Sequence, residues 1–331
     1  MRYKYILTVS IFLLLSINNW AQSTYNIKKA KYKRASEAYG YIKGQEYSLN
    51  LIKSEFPKFE NSILKAQTDF NSNFGKSIEK IEDYLQVFLG KDDFEKYVEK
   101  LESELIKIYS NKTFTIQIAT NYINEIENRA KGKIASPVLE TLLSFQYSDK
   151  PQDEYLAGFT KIYKTKNHPK SKNTDWQIKV PISWKGEEAE RPNIIQKFTD
   201  DFGDGNQSIM LMVMPLPKVT NYTKKELTEF FNQSNMKNMI PENGKFISYT
   251  KMTIDNNSGG MLEIELTQAS LDVNIKMRMV QFMFIYNNKM YILQCVLGSE
   301  KIETNLSFEM QKSLPLFKLI ARSIVVNEQY K

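Results

Sequence analysis

The sequence predicts an α+β protein with two parts, an antiparallel helical bundle followed by helices packed on a mostly antiparallel sheet. Two observations lead to this prediction. Up to Tyr147, apolar residues recur every three or four positions, the spacing of amphipathic helices. After the segment SDKPQDE, which ends at Glu154, they recur every second position, the spacing of half-buried strands. With 331 residues the chain is long enough for two domains, which we place at 24–150 and 155–331.

Residues 1–21 have the three-part layout of a secretory signal peptide. Arg2 and Lys4 precede an apolar run from Ile6 to Leu15, and polar residues then lead to Ala21. This run is shorter than the roughly 20 apolar residues that a membrane-spanning helix needs. We therefore expect cleavage after Ala21, export to the periplasm or the cell surface, and no transmembrane segment in the mature chain.

The helical part is predicted to form a bundle of four or five helices. Stretches with helical spacing cover residues 35–52, 57–88, 91–108, 113–129 and 137–143. Gly90 and Asn111 lie between stretches and belong to residue types that end helices. Pro57 suits the first position of the second helix, and Ser136 with Pro137 suits the cap and first residue of the last one.

Gly40 and Gly44 lie one helical turn apart. Such a pair occurs where a ligand approaches the backbone or where two helices pack closely. Close packing is the better interpretation, because this bundle must bury large aromatic side chains such as Phe59, Phe70 and Phe74.

The second part holds strands with short turns between them. The predicted strands cover residues 158–163, 176–182, 194–198, 209–214, 246–254, 261–268, 275–286 and 290–297. Asn287 and Asn288 suit a tight hairpin between the last two, because asparagine tolerates positive φ. A second turn is predicted between Asn256 and Gly260.

Two helices interrupt these strands. Thr223 and Glu226 have the spacing of a capping box and predict a helix that continues to Met239. A final apolar stripe from Leu314 to Ile324 predicts the last helix. Strands, helix, four-strand meander and helix in this order predict a sheet with helices packed against it.

This order of elements, with three short pieces of sequence, resembles the Mog1/PsbP-like α/β/α sandwich. The pieces are VPISW, YNNKMYILQC and ARSI, and the resemblance covers residues 158–331, about half of the chain. It implies a binding or assembly role without catalysis, because family members range from a thylakoid-lumen photosystem subunit to a nuclear transport factor and share no catalytic residues. The helical part lies outside the resemblance.

The segment KTKNHPKSK, residues 164–172, places lysines around His168, the only histidine. The nearby sequence offers His168 no carboxylate or nucleophile for acid–base or triad chemistry. Two interpretations stay open. The segment is an exposed linker, or it is an anion-binding loop in which His168, Lys170 and Lys172 contact phosphate or an acidic partner together with Arg191.

Two tryptophans lie on either side of Pro181 in the chain, Trp176 before it and Trp184 after it. One of them is expected to pack in the sheet. Trp184 stands next to the charged stretch EEAER and is predicted to be an exposed anchor for a partner.

The sequence predicts no catalytic residue, no metal and no cofactor. Zinc would lack a second histidine, and Cys295 lies in an apolar run typical of a buried thiol. Asp200, Asp201 and Asp204 surround a glycine turn, but their spacing does not match a calcium loop and is typical of a hairpin.

Four charged residues of two later strands are predicted to pair across the sheet as a solvated salt-bridge ladder: Glu263, Glu265, Lys276 and Arg278. The two glutamates also raise the hypothesis of a glycosidase. Glycosidase acids usually come from different elements that face a cleft, so the ladder is the better interpretation.

These observations favour an exported, non-enzymatic binding or assembly protein of the bacterial cell envelope. Its partner would be an envelope protein or a small anionic ligand, and not nucleic acid, because lysines and glutamates alternate and arginines are few. One alternative is an envelope hydrolase that uses Glu187, Glu188 or Glu263. Another is a structural assembly factor that acts through the surface of the bundle.

Overall fold

The computed structural model describes residues 24–110, 112–216, 222–270, 273–299 and 304–331, with side chains described from residue 29 onward apart from residues 268–274. Helices form its first part, and antiparallel sheets with further helices form its second, so the predicted α+β class is confirmed. These residues divide into two compact units, Thr24–Asp149 and Lys150–Lys331. The predicted leader and Asn111 lie outside the described residues.

The first unit is a bundle of five helices in the described part of the chain. They are α1 (Thr24–Glu55), α2 (Glu60–Leu89), α3 (Lys91–Tyr109), α4 (Ile116–Ala130) and α5 (Val138–Gln146), and a 3-10 turn at Pro57–Phe59 leads into α2. α2 is the central helix and packs against each of the other four. Its buried stripe, which includes Ile63, Phe70, Phe74, Ile81 and Leu85, has the predicted helical spacing.

The first two helices of the bundle are its longest. α1 and α2 have 32 and 30 residues, enough length to cross a bilayer. Within the described ranges, however, no helix combines that length with the apolar character that crossing a membrane requires.

Two predicted helix starts are wrong by a few residues. α4 begins at Ile116 and not at Thr113, because the Thr115 side chain accepts a hydrogen bond from the backbone N–H of Ile118 at 3.2 Å and caps the helix there. α5 begins at Val138, so Pro137 takes the cap position that was expected for Ser136.

Gly40 and Gly44 face α3, as the close-packing interpretation predicts. A Cβ atom built on Gly40 would lie 3.9 Å from Leu101 Cδ1, and one on Gly44 would lie 3.7 Å from Leu105 Cδ2. Both are ordinary van der Waals distances. The two helices therefore meet at these glycines, and each position still has room for a methyl group.

The second unit begins with the short helix α6 (Pro151–Leu156) and holds ten strands in its described residues. They are β1 (Thr160–Lys164), β2 (Trp176–Pro181), β3 (Lys185–Glu187), β4 (Ile194–Thr199), β5 (Gln207–Pro215), β6 (Gly244–Ile254), β7 (Asn257–Ser270), β8 (Val273–Tyr286), β9 (Lys289–Ser299) and β10 (Val325–Val326). The eight predicted strands are present. β3 and β10 lie outside the prediction, because two or three residues are too few to show an alternating pattern.

All strand pairs in the two sheets are antiparallel. The larger sheet has the order β3-β4-β5-β9-β8-β7-β6, and the smaller one has the order β1-β2-β10. Asn287 and Asn288 form the predicted two-residue hairpin, with φ of 46° and 54° and with Tyr286 paired to Lys289.

The turn between β6 and β7 is shorter than predicted. Asp255 and Asn256 form it, with φ of 44° and 63°, and Gly259 and Gly260 already belong to β7. Gly259 allows a close approach of β8, because a Cβ atom there would lie 2.3 Å from the carbonyl oxygen of Met283.

Helices cover both faces of the larger sheet. On one face, α9 (Leu306–Arg322) and β2 enclose an apolar layer around Trp176, Phe282 and Phe317. On the other face, α7 (Lys224–Phe230) and α8 (Gln233–Lys237) cover a layer rich in methionine, around Phe230 and Phe231. The second unit is therefore an α/β/α sandwich, as predicted.

The helix predicted from Thr223 to Met239 is in fact two helices. Thr223 and Glu226 form the predicted capping box at the start of α7. The chain then breaks at Phe231, and Asn232 caps α8 by accepting a hydrogen bond from the Asn235 N–H at 2.9 Å.

Candidate functional site

The basic segment between β1 and β2 is a hydrogen-bonded loop. The hydroxyl of Thr165 donates to the carbonyl of Thr174 at 3.0 Å and accepts from the Trp176 N–H at 3.1 Å. The hydroxyl of Thr174 donates to the carbonyl of Ser171 at 2.6 Å. Thr165, Ser171 and Thr174 are buried. These contacts join the two ends of the loop, so its backbone is tied into the fold and is not an extended linker.

His168 caps a short turn within this loop. It precedes the 3-10 turn Pro169–Ser171, and its Nδ1 accepts a hydrogen bond from the Lys170 N–H at 3.2 Å. A ring nitrogen that accepts a hydrogen bond carries no proton, so the neutral ring is protonated at Nε2. The position of His168 thus has a local structural reason.

Lys170 is paired within the protein. Its ammonium group donates to the carbonyl of Ala189 and forms an ion pair with Glu188 at 3.1 Å. The side chain is 20% exposed. Lys170 therefore joins the basic loop to the β3–β4 connection, the stretch that also contains Arg191. An outside anion would compete for it with Glu188.

Three other lysines of the loop are exposed: Lys164, Lys166 and Lys172. Lys172 has a left-handed backbone with φ 54°, and its carbonyl accepts a hydrogen bond from Lys289 Nζ at 2.9 Å. Arg191 is half-buried, two residues beyond Ala189. The structure thus joins Lys170 to the connection that carries Arg191, while His168 bonds within its own loop and the exposed lysines lie on that loop.

The prediction that Trp184 is an exposed anchor is wrong. Its side chain is 3% exposed and packs edge-on against Phe317 of α9, with ring centroids 6.4 Å apart. Trp176 is fully buried and packs edge-on against Tyr291 at 5.5 Å. Both rings belong to the same apolar layer, since the turn after β2 directs Trp184 back toward α9.

The turn from Pro181 to Trp184 holds several distant segments together. Lys161 Nζ donates to the carbonyl of Ile182 at 3.1 Å and to that of Trp184. The carbonyl of Ser183 accepts from the Phe202 N–H at 2.9 Å. The turn is therefore a structural junction between β1 and the hairpin that joins β4 to β5.

Glu154 of α6 is the buried partner of this turn. Its carboxylate accepts hydrogen bonds from the backbone N–H of Ser183 at 2.9 Å and from the Ser183 hydroxyl at 2.6 Å, and the residue is 3% exposed. Burial raises the pKa of Glu154 to about 7, and the bonds from Ser183 and the charge of Lys161 oppose this rise. Glu154 is enclosed, so its role is to hold the turn that contains Ser183.

The three acids of the hydrolase hypothesis do not converge. Glu187 and Glu188 lie at or next to β3, and Glu263 lies on β7, five strand positions away in the sheet order. At about 4.8 Å for each position the separation is roughly 24 Å, whereas paired glycosidase carboxylates lie about 5–10 Å apart. Each acid also has a cation close by, at 2.7 Å for Lys185 with Glu187 and 2.8 Å for Arg278 with Glu263.

The predicted charge ladder between β7 and β8 is present, and its Arg278–Glu263 pair is largely buried while Lys276 and Glu265 are partly exposed. Arg278 lies 2.8 Å from Glu263 and 3.4 Å from Glu265, and Lys276 lies 3.8 Å from Glu265. The Arg278 side chain is only 10% exposed and also donates to the Ser307 hydroxyl at 3.3 Å. The start of α9 therefore lies over Arg278.

The acidic turn after β4 has a structural role. The Asp200 carboxylate accepts a hydrogen bond from the Gln207 N–H at 2.8 Å and lies where a Cβ atom on Gly205 would be. This is the hairpin interpretation of the sequence. Across the described parts of the chain, no three histidine, cysteine or acidic side chains are grouped so that they could hold a metal ion. Cys295 is fully buried, and burial raises the pKa of its thiol.

Sequence reasoning missed the contacts of Glu154 and Lys161. A glutamate in a polar stretch has no sequence signal that distinguishes a buried acid from an exposed one. Pro151 is the one available signal, since proline favours the first turn of a helix and marks the start of α6.

Neither a protein-family model nor a curated protein matches this chain. Solved structures do match it over about half of its length. PsbP of the cyanobacterium Synechocystis sp. PCC 6803 is 13% identical, with 50% of this chain and 92% of that protein covered and a TM-score of 0.31. The Ran-binding protein Mog1p of Saccharomyces cerevisiae is 9% identical, with 50% and 95% covered and a TM-score of 0.32.

LpqN, a protein involved in cell envelope biogenesis of Mycobacterium tuberculosis, is 14% identical, with 53% of this chain and 96% of that protein covered and a TM-score of 0.32. The predicted Mog1/PsbP-like resemblance is confirmed as a likeness of fold over about half of the chain. At these identities and TM-scores, the likeness carries nothing about what this chain binds or does.

Proposed function

We propose that this chain is an exported, non-enzymatic binding protein of the bacterial cell envelope, and that its sandwich unit holds an acidic partner through the basic loop at residues 164–172. The observation that carries the proposal is the construction of this loop. Buried threonine and serine side chains fix its backbone, and Lys164, Lys166 and Lys172 extend from it into solvent.

A fixed loop favours binding, because its conformational entropy is lost on folding and not on association. Exposed cations on such a loop speed the encounter with an acidic surface and orient it. Lys170 and Glu188 contribute differently, since their ion pair holds the loop against the β3–β4 connection. Arg191 lies on that connection and is included in the proposed site.

A binding role is also supported by the state of the acids that would serve a hydrolase. Glu263 is engaged by Arg278, and Glu188 by Lys170. Glu154 is enclosed by the turn that contains Ser183. These acids are therefore engaged within the protein. Export is supported by the pattern of residues 1–21, with its basic start and apolar run before Ala21.

The test measures binding of fluorescent oligoglutamate peptides to the protein by anisotropy, with inorganic phosphate as a competitor. The variant K164E/K166E/K172E reverses the loop charges, and K224E/K225E/K245E makes the same change at exposed lysines elsewhere in the sandwich unit. We expect the loop variant to bind at least about tenfold more weakly, or about 1.4 kcal/mol, and the control to bind like the parent at 0.15 M salt.

Equal affinities for the two variants would overturn the role of the loop. Competition by millimolar phosphate would assign the site to small anions, which contradicts the proposed acidic partner. Fractionation of the producing cells tests the export separately, and recovery of the chain in the cytoplasm with residues 1–21 intact would contradict that part.

A further inference from the structure

The connection between α3 and α4 forms one end of the bundle and carries exposed apolar side chains. Four isoleucines lie within one turn of this connection, and their exposed fractions are 54% for Ile106, 53% for Ile108, 51% for Ile116 and 48% for Ile118. We call these four, with Lys107, Lys112 and Phe114, the bundle tip. Four exposed β-branched apolar side chains within so short a stretch of the chain call for an explanation, because a soluble surface usually carries them singly.

The isoleucines point to opposite sides of their helices. Residues two apart on an α-helix are rotated by about 200°. Ile106 and Ile108 are separated in this way, and so are Ile116 and Ile118, yet all four are half-exposed. One flat protein surface would cover one side of each helix only. A fluid phase has no fixed surface and can receive side chains on both sides at once.

The remaining residues of the bundle tip have the chemistry of a membrane interface. Lys107 stands between Ile106 and Ile108 in the chain, and no acidic residue occurs from Leu105 to Asn124. A lysine can bury its methylene stem while its ammonium group reaches lipid phosphate. The charge of the bundle tip therefore favours an anionic surface.

Aromatic rings reinforce this character. Phe114 stacks on Tyr109, with ring centroids 6.4 Å apart and planes inclined by 11°. The ammonium group of Lys112 lies 4.7 Å from the centroid of the Tyr109 ring. Tyrosine and basic residues next to apolar side chains are typical of segments that settle at the boundary between headgroups and acyl chains.

We propose that the bundle tip inserts into the interfacial region of an anionic phospholipid bilayer, with its isoleucines among the upper acyl chains and Lys107 and Lys112 at lipid phosphates. This proposal concerns the first unit and does not depend on the acidic partner of the sandwich unit.

The test places a polarity-sensitive fluorophore on the tip. Cys295 is the only cysteine and is fully buried, so a cysteine introduced at Ile108 or Ile116 is labelled selectively in the full chain. Val87, which is 85% exposed at the end of α2, provides the control position. Vesicles are phosphatidylglycerol with phosphatidylethanolamine, and phosphatidylcholine alone.

We expect labels at positions 108 and 116 to shift their emission to the blue with the anionic vesicles and to stay unchanged with phosphatidylcholine. The label at position 87 should report water throughout. Adding K107E/K112E should raise the lipid concentration that gives half of the shift by about tenfold.

Unshifted labels at positions 108 and 116 would overturn the proposal even if the protein sediments with the vesicles, because another segment would then make the contact. An equal shift at position 87 would overturn it too. A shift that appears with a soluble acidic protein and not with lipid would assign the tip to a protein partner, against the proposal.

Discussion

An ion pair that joins two helices of the bundle and one that joins two strands of the sandwich unit differ in their burial. In the bundle, Lys65 and Glu127 join α2 to α4 at 3.1 Å with side chains 66% and 33% exposed. In the sandwich unit, Arg278 and Glu263 meet at 2.8 Å with side chains 10% and 12% exposed. A helix satisfies its own backbone hydrogen bonds, so a bundle needs little more than an apolar stripe. A sandwich with irregular connections needs side chains that bind distant backbone, and those side chains become buried.

The two pairs should therefore respond differently to the loss of one partner. Loss of an exposed pair leaves both partners in water, whereas loss of one member of a buried pair leaves an uncompensated charge. The sandwich unit should therefore respond strongly to polar substitutions that the bundle tolerates.

The largest expected effect is the loss of stability when the ion pair between Arg278 and Glu263 is broken. Arg278→Met keeps the apolar stem but removes the cation that faces Glu263 and Glu265, and we expect the free energy of unfolding to fall by about 3 kcal/mol. Lys65→Met removes the corresponding cation of the bundle and should leave that free energy nearly unchanged. Urea unfolding followed by circular dichroism measures both.

The double variant R278M/E263L tests the reason for this loss. It removes the unpaired acid as well, and we expect it to recover part of the stability. A single variant as stable as the parent protein would show that the ladder is open to water after all.

The second effect is a pH dependence at Glu154. Its pKa is raised to about 7 by burial, so the folded protein binds a proton that the unfolded chain releases at about 4.5. The contribution of Glu154 to stability is complete below pH 4.5 and is lost as pH rises through 7, to a total of roughly 3 kcal/mol.

Glu154→Gln isolates this contribution, because glutamine does not titrate. We expect the variant to match the parent near pH 4.5 and to exceed its stability at pH 8. Denaturant titrations of both proteins over this range provide the measurement, and a difference that is constant with pH would contradict the prediction.

The smallest expected effect is a gain of stability at a glycine of the bundle. Gly44→Ala adds a methyl group 3.7 Å from Leu105 Cδ2, in ordinary contact, and alanine favours the helix. We expect the melting temperature to rise with a gain of about 0.5–1 kcal/mol. Gly259→Ala serves as the counterpart in the sheet and should destabilise, because its Cβ would meet the Met283 carbonyl at 2.3 Å. A loss of stability for Gly44→Ala would show that α1 and α3 cannot accommodate the added methyl group.

Local patterns in the sequence were sufficient for the class of the fold and for most of its elements. Helical spacing identified α2, and alternation identified the strands from β4 to β9. Asn287 with Asn288 and Thr223 with Glu226 act through neighbouring backbone, so their turn and cap are readable from the chain.

The tertiary structure alone decided the roles of residues whose partners are distant in sequence. Glu154 meets Ser183, Lys170 meets Glu188, and Trp184 meets Phe317. Composition placed Lys170 and Trp184 at a binding surface, but long-range packing gives Lys170 a partner within the protein and makes Trp184 part of the core. The physical reason is that burial and charge pairing depend on which segments the fold brings together, and a pattern of neighbours along the chain carries no record of that.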